Sequence, residues 1–304
     1  MWSISGRNTS NGLRSTANND EAITACTILQ EGEKLRSSMA TLPSYVRPAI
    51  DMHVHPSFER SKTETMFAYA QQVGITRIIL CSVGYSDTVE YPSLDEVMRG
   101  NEQVYTLVEH YPGFAFGLVY VNPNHPEALS ILEEGFRQSG VVGIKLWVSC
   151  RDEEGRLHPV YPVLEFAQAH QVPVLIHSFY RTGGNLRGEL SPTDIAHLAQ
   201  RYPQTPIVMA HLGGKWQRGV RVVRSYPNVF VDFSGSRAYL GSVEHAVREL
   251  GAGRVLFGSD AHYRSFAGQI AKVMAAEIDL ADKRIILWDN SARLFFGEGG
   301  GHDR

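Results

Sequence analysis

The sequence predicts an α/β fold, a (β/α)8 TIM barrel with an N-terminal extension, and three observations carry that prediction. Between residues 48 and 297, short apolar runs alternate with helix-length segments eight times over. The runs are apolar nearly throughout, which suits parallel strands covered by helices rather than strands with one wet face. Eight such units are the number that closes a barrel. An open doubly wound sheet fits less well, because the first strand lacks the Gly-rich phosphate turn of a nucleotide fold.

Taken in order, residues 1–47 form the extension. Residues 1 to about 19 are rich in Ser, Asn, Thr and Gly, a composition that buries too little apolar surface to fold. Asp20 is placed to cap a helix over roughly 21–39, where Ile28, Leu35 and Met39 share one face and Gly32 is a weak point. The barrel opens with a strand at 49–55 and a helix near 62–73. Strand two is 75–82, with a helix near 93–111; strand three is 114–121, with a helix near 126–138. Strand four, 141–148, leads to a helix near 159–170, and strand five, 172–177, to one near 192–201 that starts after Ser191-Pro192. Strands six and seven, 206–211 and 229–233, precede helices near 216–225 and 242–250. Strand eight, 254–260, precedes a helix near 266–277, and an apolar helix near 291–296 ends at a Gly-rich tail, 298–304.

The totals narrow the function. Net charge is −3 and no basic run appears, so nucleic-acid binding has no support. Cys26, Cys81 and Cys150 are scattered and odd in number, which argues against a disulfide framework and for a reducing compartment. No apolar run reaches the roughly 18 residues of a membrane span, and the first residues lack a signal-peptide apolar region. A cytoplasmic protein acting on a small molecule is the expectation, with the extension free to make a homodimer contact.

The chemistry-bearing residues fall where a barrel puts its active site, at the C-terminal ends of the strands. Strand one ends in His53 and His55, five in His177, six in His211 and eight in Asp260, with Lys145 near the end of strand four. Alternation along strand one sets His53, His55 and Asp51 on one face, and Ile50, Met52 and Val54 on the other. Singly, each strand-end residue has an ordinary explanation. A histidine after an apolar run is commonly just hydrogen-bonded, an aspartate after Gly-Ser caps a turn, and a lysine pairs with a nearby acid. Together they put several ionisable groups at one dry mouth, and a metal cation satisfies imidazoles and a carboxylate at once. His262, with Tyr263, lies on the loop over that mouth.

Further motifs run in the same order: Ile50-Asp51-Met52-His53-Val54-His55, Gly143-Ile144-Lys145-Leu146, Val172-Pro173-Val174-Leu175-Ile176-His177, Ala210-His211-Leu212-Gly213-Gly214, Leu256-Phe257-Gly258-Ser259-Asp260, and the closing Asp289-Asn290-Ser291-Ala292-Arg293-Leu294-Phe295. This set resembles the amidohydrolase superfamily of metal-dependent barrels, and within it the amidohydrolase-2 branch. That branch includes aminocarboxymuconate-semialdehyde-type decarboxylases and dicarboxylate lactonases. The resemblance covers about 48–297, with Ser291 where the family usually has Ala. It implies His53, His55, His177 and Asp260 as ligands of one divalent ion, with His211 beside it for charge stabilisation or proton transfer. In binuclear members a carboxylated lysine on strand four bridges two metals, so a second ion bridged by Lys145 is the variant to test.

Imidazoles and a carboxylate with an open position describe a catalytic zinc rather than a closed structural one. Such an ion lowers the pKa of water toward about 7 and polarises a carbonyl, with Asp260 as general base and acid. Arg181, Arg187, Arg237 and Arg264, with Lys215, Trp216 and Tyr239, sit on loops after the strands. Arg181 and Arg237, with His262 and Trp147, are the named candidates for contact with a substrate that carries a carboxylate. Three readings follow. The first is hydrolysis of an amide, ester or lactone by a metal-activated water. The alternative is non-oxidative decarboxylation of an aromatic or unsaturated acid. The third, a barrel that binds without catalysis, has no reason to keep the whole ligand set.

Overall fold

The computed structural model describes residues 48–84, 90–235 and 237–298. The expected helix over 21–39 and Cys26 lie outside the described residues. Eight strands, β1 (Ala49–Val54), β2 (Ile75–Leu80), β3 (Ala115–Tyr120), β4 (Val141–Leu146), β5 (Val174–Ile176), β6 (Ile207–Met209), β7 (Val229–Asp232) and β8 (Val255–Leu256), form one sheet in sequence order. Every neighbouring pair is parallel. The chain after β8 closes the circle onto β1: Met52 N–H donates to Phe257 O at 3.1 Å and Asp260 N–H to His53 O at 2.8 Å. The architecture is the expected (β/α)8 barrel.

The helices follow the strands in turn. They are α1 (Arg60–Gln72), α2 (Leu94–His110), α3 (Ala128–Gly135), α4 (Val160–His170), α5 (Pro192–Arg201), α6 (Trp216–Val223), α7 (Ser242–Leu250) and α8 (Phe266–Ala275). Two start on reciprocal caps: Ser93 with Glu96 opens α2, and Ser191 with Asp194 opens α5, where Pro192 takes the first helical position. A stretch not anticipated from sequence follows α8: α9 (Leu280–Arg284) and a wide helical turn at Ile285–Asp289, which lead into the expected closing helix, α10 (Asn290–Phe296). Ile286 and Leu287 are buried there, and Ile286 O accepts from Phe257 N–H at 3.1 Å, so the segment seals the chain behind β8.

Two apolar layers result. The outer layer joins alternate strand residues such as Ile78, Leu80, Ile144, Val174 and Val231 to helix residues such as Phe67, Val104, Leu164 and Ile270. The inner layer is Ile50, Met52, Ile79, Leu118, Leu175, Val208 and Leu256, closed by Ala292 and Phe295 of α10. Strand one departs from simple alternation. Ile50 and Met52 belong to the inner layer although His53 also faces inward, and Val54 joins the outer layer. A register shift between Asp51 and Val54 gives β1 one more residue than β2 over that span. This bulge re-aims the following side chains, which corrects the expected single face of Asp51, His53 and His55.

No helix of the described residues is long and apolar enough to cross a membrane. Leu118 is wholly buried in the inner layer. Leu118→Ala is expected to cost about 2–5 kcal/mol, read as a lowered urea midpoint with unchanged slope.

Candidate metal centre

The strand ends deliver their polar residues to one place. His53 lies on β1 and Lys145 on β4; His55 follows β1, His177 follows β5, and His211 sits in the turn after β6. Strands six and eight are shorter than expected because the chain leaves extended geometry before its functional residue, whereas His177 N–H, just past β5, still donates to Leu146 O at 3.0 Å. His211 and Leu212 have φ of 60° and 52°, and Asp260 has φ of 66°. Such left-handed positions cost on the order of 1–3 kcal/mol each and need outside support. His211 N–H donates to Asp232 Oδ1 at 3.0 Å, and Asp260 N–H is held by β1 as described. Gly235, at φ +64°, lies under both residues. A Cβ there would come within 2.5 Å of Asp260 Oδ2 and 2.8 Å of His211 Nδ1, so glycine is required.

The hydrogen bonds around the four imidazoles fix their tautomers. His55 Nδ1 is 2.8 Å from Cys81 O, and His211 Nδ1 is 3.0 Å from Ser234 O. A carbonyl only accepts, so both Nδ1 atoms carry hydrogen. His53 Nδ1 lies 2.9 Å from Asp232 Oδ2, and His177 Nε2 lies 2.8 Å from Glu189 Oε1. Those nitrogens also donate. The lone pairs that remain, on His53 Nε2, His55 Nε2, His177 Nδ1 and His211 Nε2, therefore face one another. The first two are 3.2 Å apart and the last two are 3.2 Å apart. Asp260 Oδ1 adds a carboxylate oxygen 3.2 Å from His55 Nε2 and 3.9 Å from His53 Nε2.

Lone pairs gathered in a dry site demand positive charge, and the titration behaviour agrees. Burial, joined by the positive Lys145, pushes His53 down to about 3. Burial likewise pushes His177 down to about 4, with His211 and Lys145 adding to it. Burial works against the His55 cation too, but Cys81 and Asp260 outweigh it and raise His55 to about 9. Burial opposes ionisation of Asp260 and Asp232, yet the surrounding imidazoles hold both carboxyls well below the usual range. The cluster thus draws one proton onto His55 beside Asp260, while Lys145 Nζ meets the His53 lone pair at 2.9 Å. The donor set fits a divalent ion, with His53, His55, His177 and Asp260 able to hold it.

Two nearby groups could be mistaken for ligands. Asp232 lies within ligand distance of His53 and His211, and Cys81 of His53 and His55. Asp232, however, is turned to the outer nitrogen of His53, and Cys81 Sγ lies 3.7 Å from the outer nitrogen of His55. Both orient the rings from behind. Asp51 serves the backbone instead, accepting from His53 N–H at 3.2 Å and Ser259 N–H at 2.9 Å, and burial pushes its carboxyl up to about 7.

His53, His55, Lys145, His177, His211 and Asp260 line a cavity of about 260 Å³ together with Val83, Trp147, Tyr263 and Arg264. Among the residues expected to meet substrate, Trp147 is on the wall, its ring centroid 6.2 Å from that of His177. His262 Nδ1 lies 3.2 Å from His55 O, and its ring packs on Tyr263 with centroids 4.2 Å apart. Arg237 is exposed on the loop after β7 and does not line the cavity. The fork of Arg181 closes on Glu189, with Nε–Oε2 and Nη2–Oε1 both at 2.7 Å. Arg264 does reach the cavity, held by Nε donating to Gly235 O at 2.9 Å. Asp232 and Glu189 were not anticipated from sequence. A lone acid in the apolar run Val229-Phe230-Val231-Asp232-Phe233 was the available signal for the first; Glu189, in a polar loop, gave none.

The amidohydrolase family model matches residues 50–297. No curated protein matches the sequence. Among solved structures, the chain is similar to 5-carboxyvanillate decarboxylase from Sphingomonas paucimobilis, with TM-score 0.65, 15% identity, and coverage of 82% of this chain and 98% of that one. It is similar to 2,6-dihydroxybenzoate decarboxylase from Rhizobium, with TM-score 0.66, 17% identity, and coverage of 83% and 100%. A third is dihydroxybenzoic acid decarboxylase from Polaromonas sp. JS666, with bound manganese and the inhibitor 2-nitroresorcinol, at TM-score 0.64, 17% identity and 82% and 97% coverage. At these identities the likeness shows the shared fold.

Two outcomes follow from the centre. His53→Ala combined with His55→Ala removes two inward lone pairs from a strand that stays buried. The double variant is expected to keep its far-UV circular dichroism and lose divalent-ion binding in equilibrium dialysis. Because an incoming ion must displace the His55 proton, apparent ion affinity is expected to rise with pH by at most about tenfold per unit. The rise should continue toward about 9 and level off above it. A chelator titration across pH 6–10 checks this, roughly a decade per unit being the ceiling for one displaced proton.

Proposed function

The chain belongs to the amidohydrolase family, and from that premise we propose that it is a metal-dependent, non-oxidative decarboxylase of a small aromatic or unsaturated carboxylic acid. The observation that carries this reading is the distribution of charge in one small cavity. Its floor gathers four imidazole lone pairs and Asp260, its wall holds Lys145, and Arg264 contributes to its lining. A carboxylate substrate needs cations to meet it, whereas a neutral amide or ester does not. At about 260 Å³ the cavity falls below the roughly 300–1,000 Å³ of drug-sized sites, which suits a single ring. The likeness to structures of benzoate-type decarboxylases supports the same reading.

One divalent ion on His53, His55, His177 and Asp260 would act as a Lewis acid that anchors substrate oxygens and takes up charge as the carbon–carbon bond breaks. Zinc suits so many imidazoles; the Polaromonas protein holds manganese. The protein's own groups do the rest. Lys145 and Arg264 hold the anion, and Trp147 walls the ring. The carboxyl group departs as carbon dioxide and leaves its bonding pair on the ring carbon. His211, with Nδ1–H fixed on the Ser234 carbonyl, presents its Nε2 lone pair inward; that nitrogen takes up one proton from solvent water before reaction and passes it to the bonding pair left on the ring carbon.

Hydrolysis of an amide, ester or lactone, the first expectation from sequence, keeps one observation in its favour. Asp260 is held ionised, as a general base must be. The two reactions separate cleanly in deuterated water with protein loaded with zinc or with manganese. Monocyclic hydroxybenzoates are expected to release one carbon dioxide each and to gain one deuterium at the vacated carbon. His211→Asn should lower kcat by about 10²–10⁴ with ion content intact. Cleavage of aryl esters or lactones, with no carbon dioxide from any acid, would assign hydrolysis instead.

A further inference from the structure

Behind His177 lies a charged pair that none of the groups above uses for chemistry. Glu189 is buried, with a side chain fully shielded from solvent, and its carboxylate receives every donor that surrounds it. His177 Nε2–H donates at 2.8 Å, Arg181 Nε at 2.7 Å and Nη2 at 2.7 Å, and Leu186 N–H at 3.1 Å. Arg181 is partly exposed and also lies over the Phe179 ring, 5.0 Å from its centroid. Phe179 in turn stacks on His177 and packs against His211, with ring centroids 5.2 Å apart in both cases. The loop carrying these residues, 178–191, is closed on itself. Ser178 and Leu190 form a parallel bridge, Phe179 N–H donates to Leu190 O at 3.0 Å, and Arg181 N–H donates to Asn185 Oδ1 at 3.1 Å.

We propose that Arg181 and Glu189 form a positioning pair that fixes the ring and tautomer of His177, and that Arg181 acts through Glu189 rather than on substrate. The physical reason is the acceptor-only carboxylate. It forces hydrogen onto Nε2 of His177, so Nδ1 keeps its lone pair toward the centre. A buried carboxylate needs a charged partner to remain ionised, and Arg181 supplies it bidentately while Phe179 braces both the guanidinium and the imidazole. Loop 178–191 and ion retention are thereby one unit. The inference rests on the metal-centre reading but not on which reaction the centre performs.

The test is ion affinity by competition with a coloured chelator, using zinc as the probe, on the full chain. Glu189→Ala is expected to weaken zinc binding about 10–100-fold, and Glu189→Gln to lose less, since its carbonyl still accepts from Nε2–H. Arg181→Met is expected to weaken binding too, but to add nothing in the Glu189→Ala background. A nitrogen-15 NMR spectrum supplies a readout that loop destabilisation alone would not move. The His177 side chain should show the Nε2–H tautomer in wild type and a mixture of tautomers in Glu189→Ala. Wild-type zinc affinity in both Arg181→Met and Glu189→Gln would overturn the proposal, as would additive losses in the double variant. If Glu189→Ala fails to fold, Arg181→Met decides, because its side chain is at the surface. A wild-type protein that binds no zinc would instead sink the metal centre itself.

Discussion

The carboxylate of Asp232 connects three strand ends and the geometry of the site follows from it. One oxygen accepts from His53 Nδ1–H at 2.9 Å; the other accepts from the backbone N–H of His211 at 3.0 Å and of Ser234 at 2.9 Å, and from the Ser234 hydroxyl at 2.6 Å. A fully buried carboxylate is costly unless each lone pair is met, and here the donors come from β1, from the turn after β6 and from the chain after β7. The same contacts decide which nitrogen of His53 faces the centre and stabilise the left-handed backbone at His211. Removing this carboxylate would release a ring, a turn and a strand end together.

From that constraint the rest of the centre is a matter of acceptors placed behind rings. Cys81 O, Ser234 O, Asp232 and Glu189 each take the outer hydrogen of one imidazole, and the inner lone pairs would repel one another but for Lys145 Nζ at His53 and the proton drawn onto His55. Repulsion of that kind is tolerable only around a positive charge. The barrel supplies the rigidity: β1 is buried on every residue, its bulge turns His53 inward, and the segment behind β8 holds Phe257 in the chain that leads from β8 to Asp260. A loosely packed scaffold would let the rings rotate and exchange tautomers.

Much of this was legible in the sequence. The H-x-H of His53 and His55, and the polar residues that end apolar runs at His177, His211 and Asp260, mark the centre because strand ends in a barrel converge. The bulge in β1 was not legible, since one extra residue leaves the apolar pattern of Ile50, Met52 and Val54 intact while changing which layer each joins. Strand seven was read to its end at Phe233, which hid Asp232 one residue earlier. Glu189 depends on how a polar loop folds back, a tertiary event with no local signature. The run 280–289 escaped because its helix and wide turn present no clear period before the closing helix. Arg181 reads as a substrate contact from its loop position alone; that its guanidinium closes on Glu189 was not legible, because the partner is placed by the folding of the loop.

The central claim is that the inward lone pairs and Asp260 hold one divalent cation. It is tested most directly by elemental analysis of protein purified without added metal, then again after exposure to zinc or manganese and gel filtration. The account predicts about one equivalent per chain in at least the second sample, the stoichiometry of a single site with three imidazoles and one carboxylate. No retained ion after both exposures would contradict it. The four imidazoles would then have to be explained by hydrogen bonding alone.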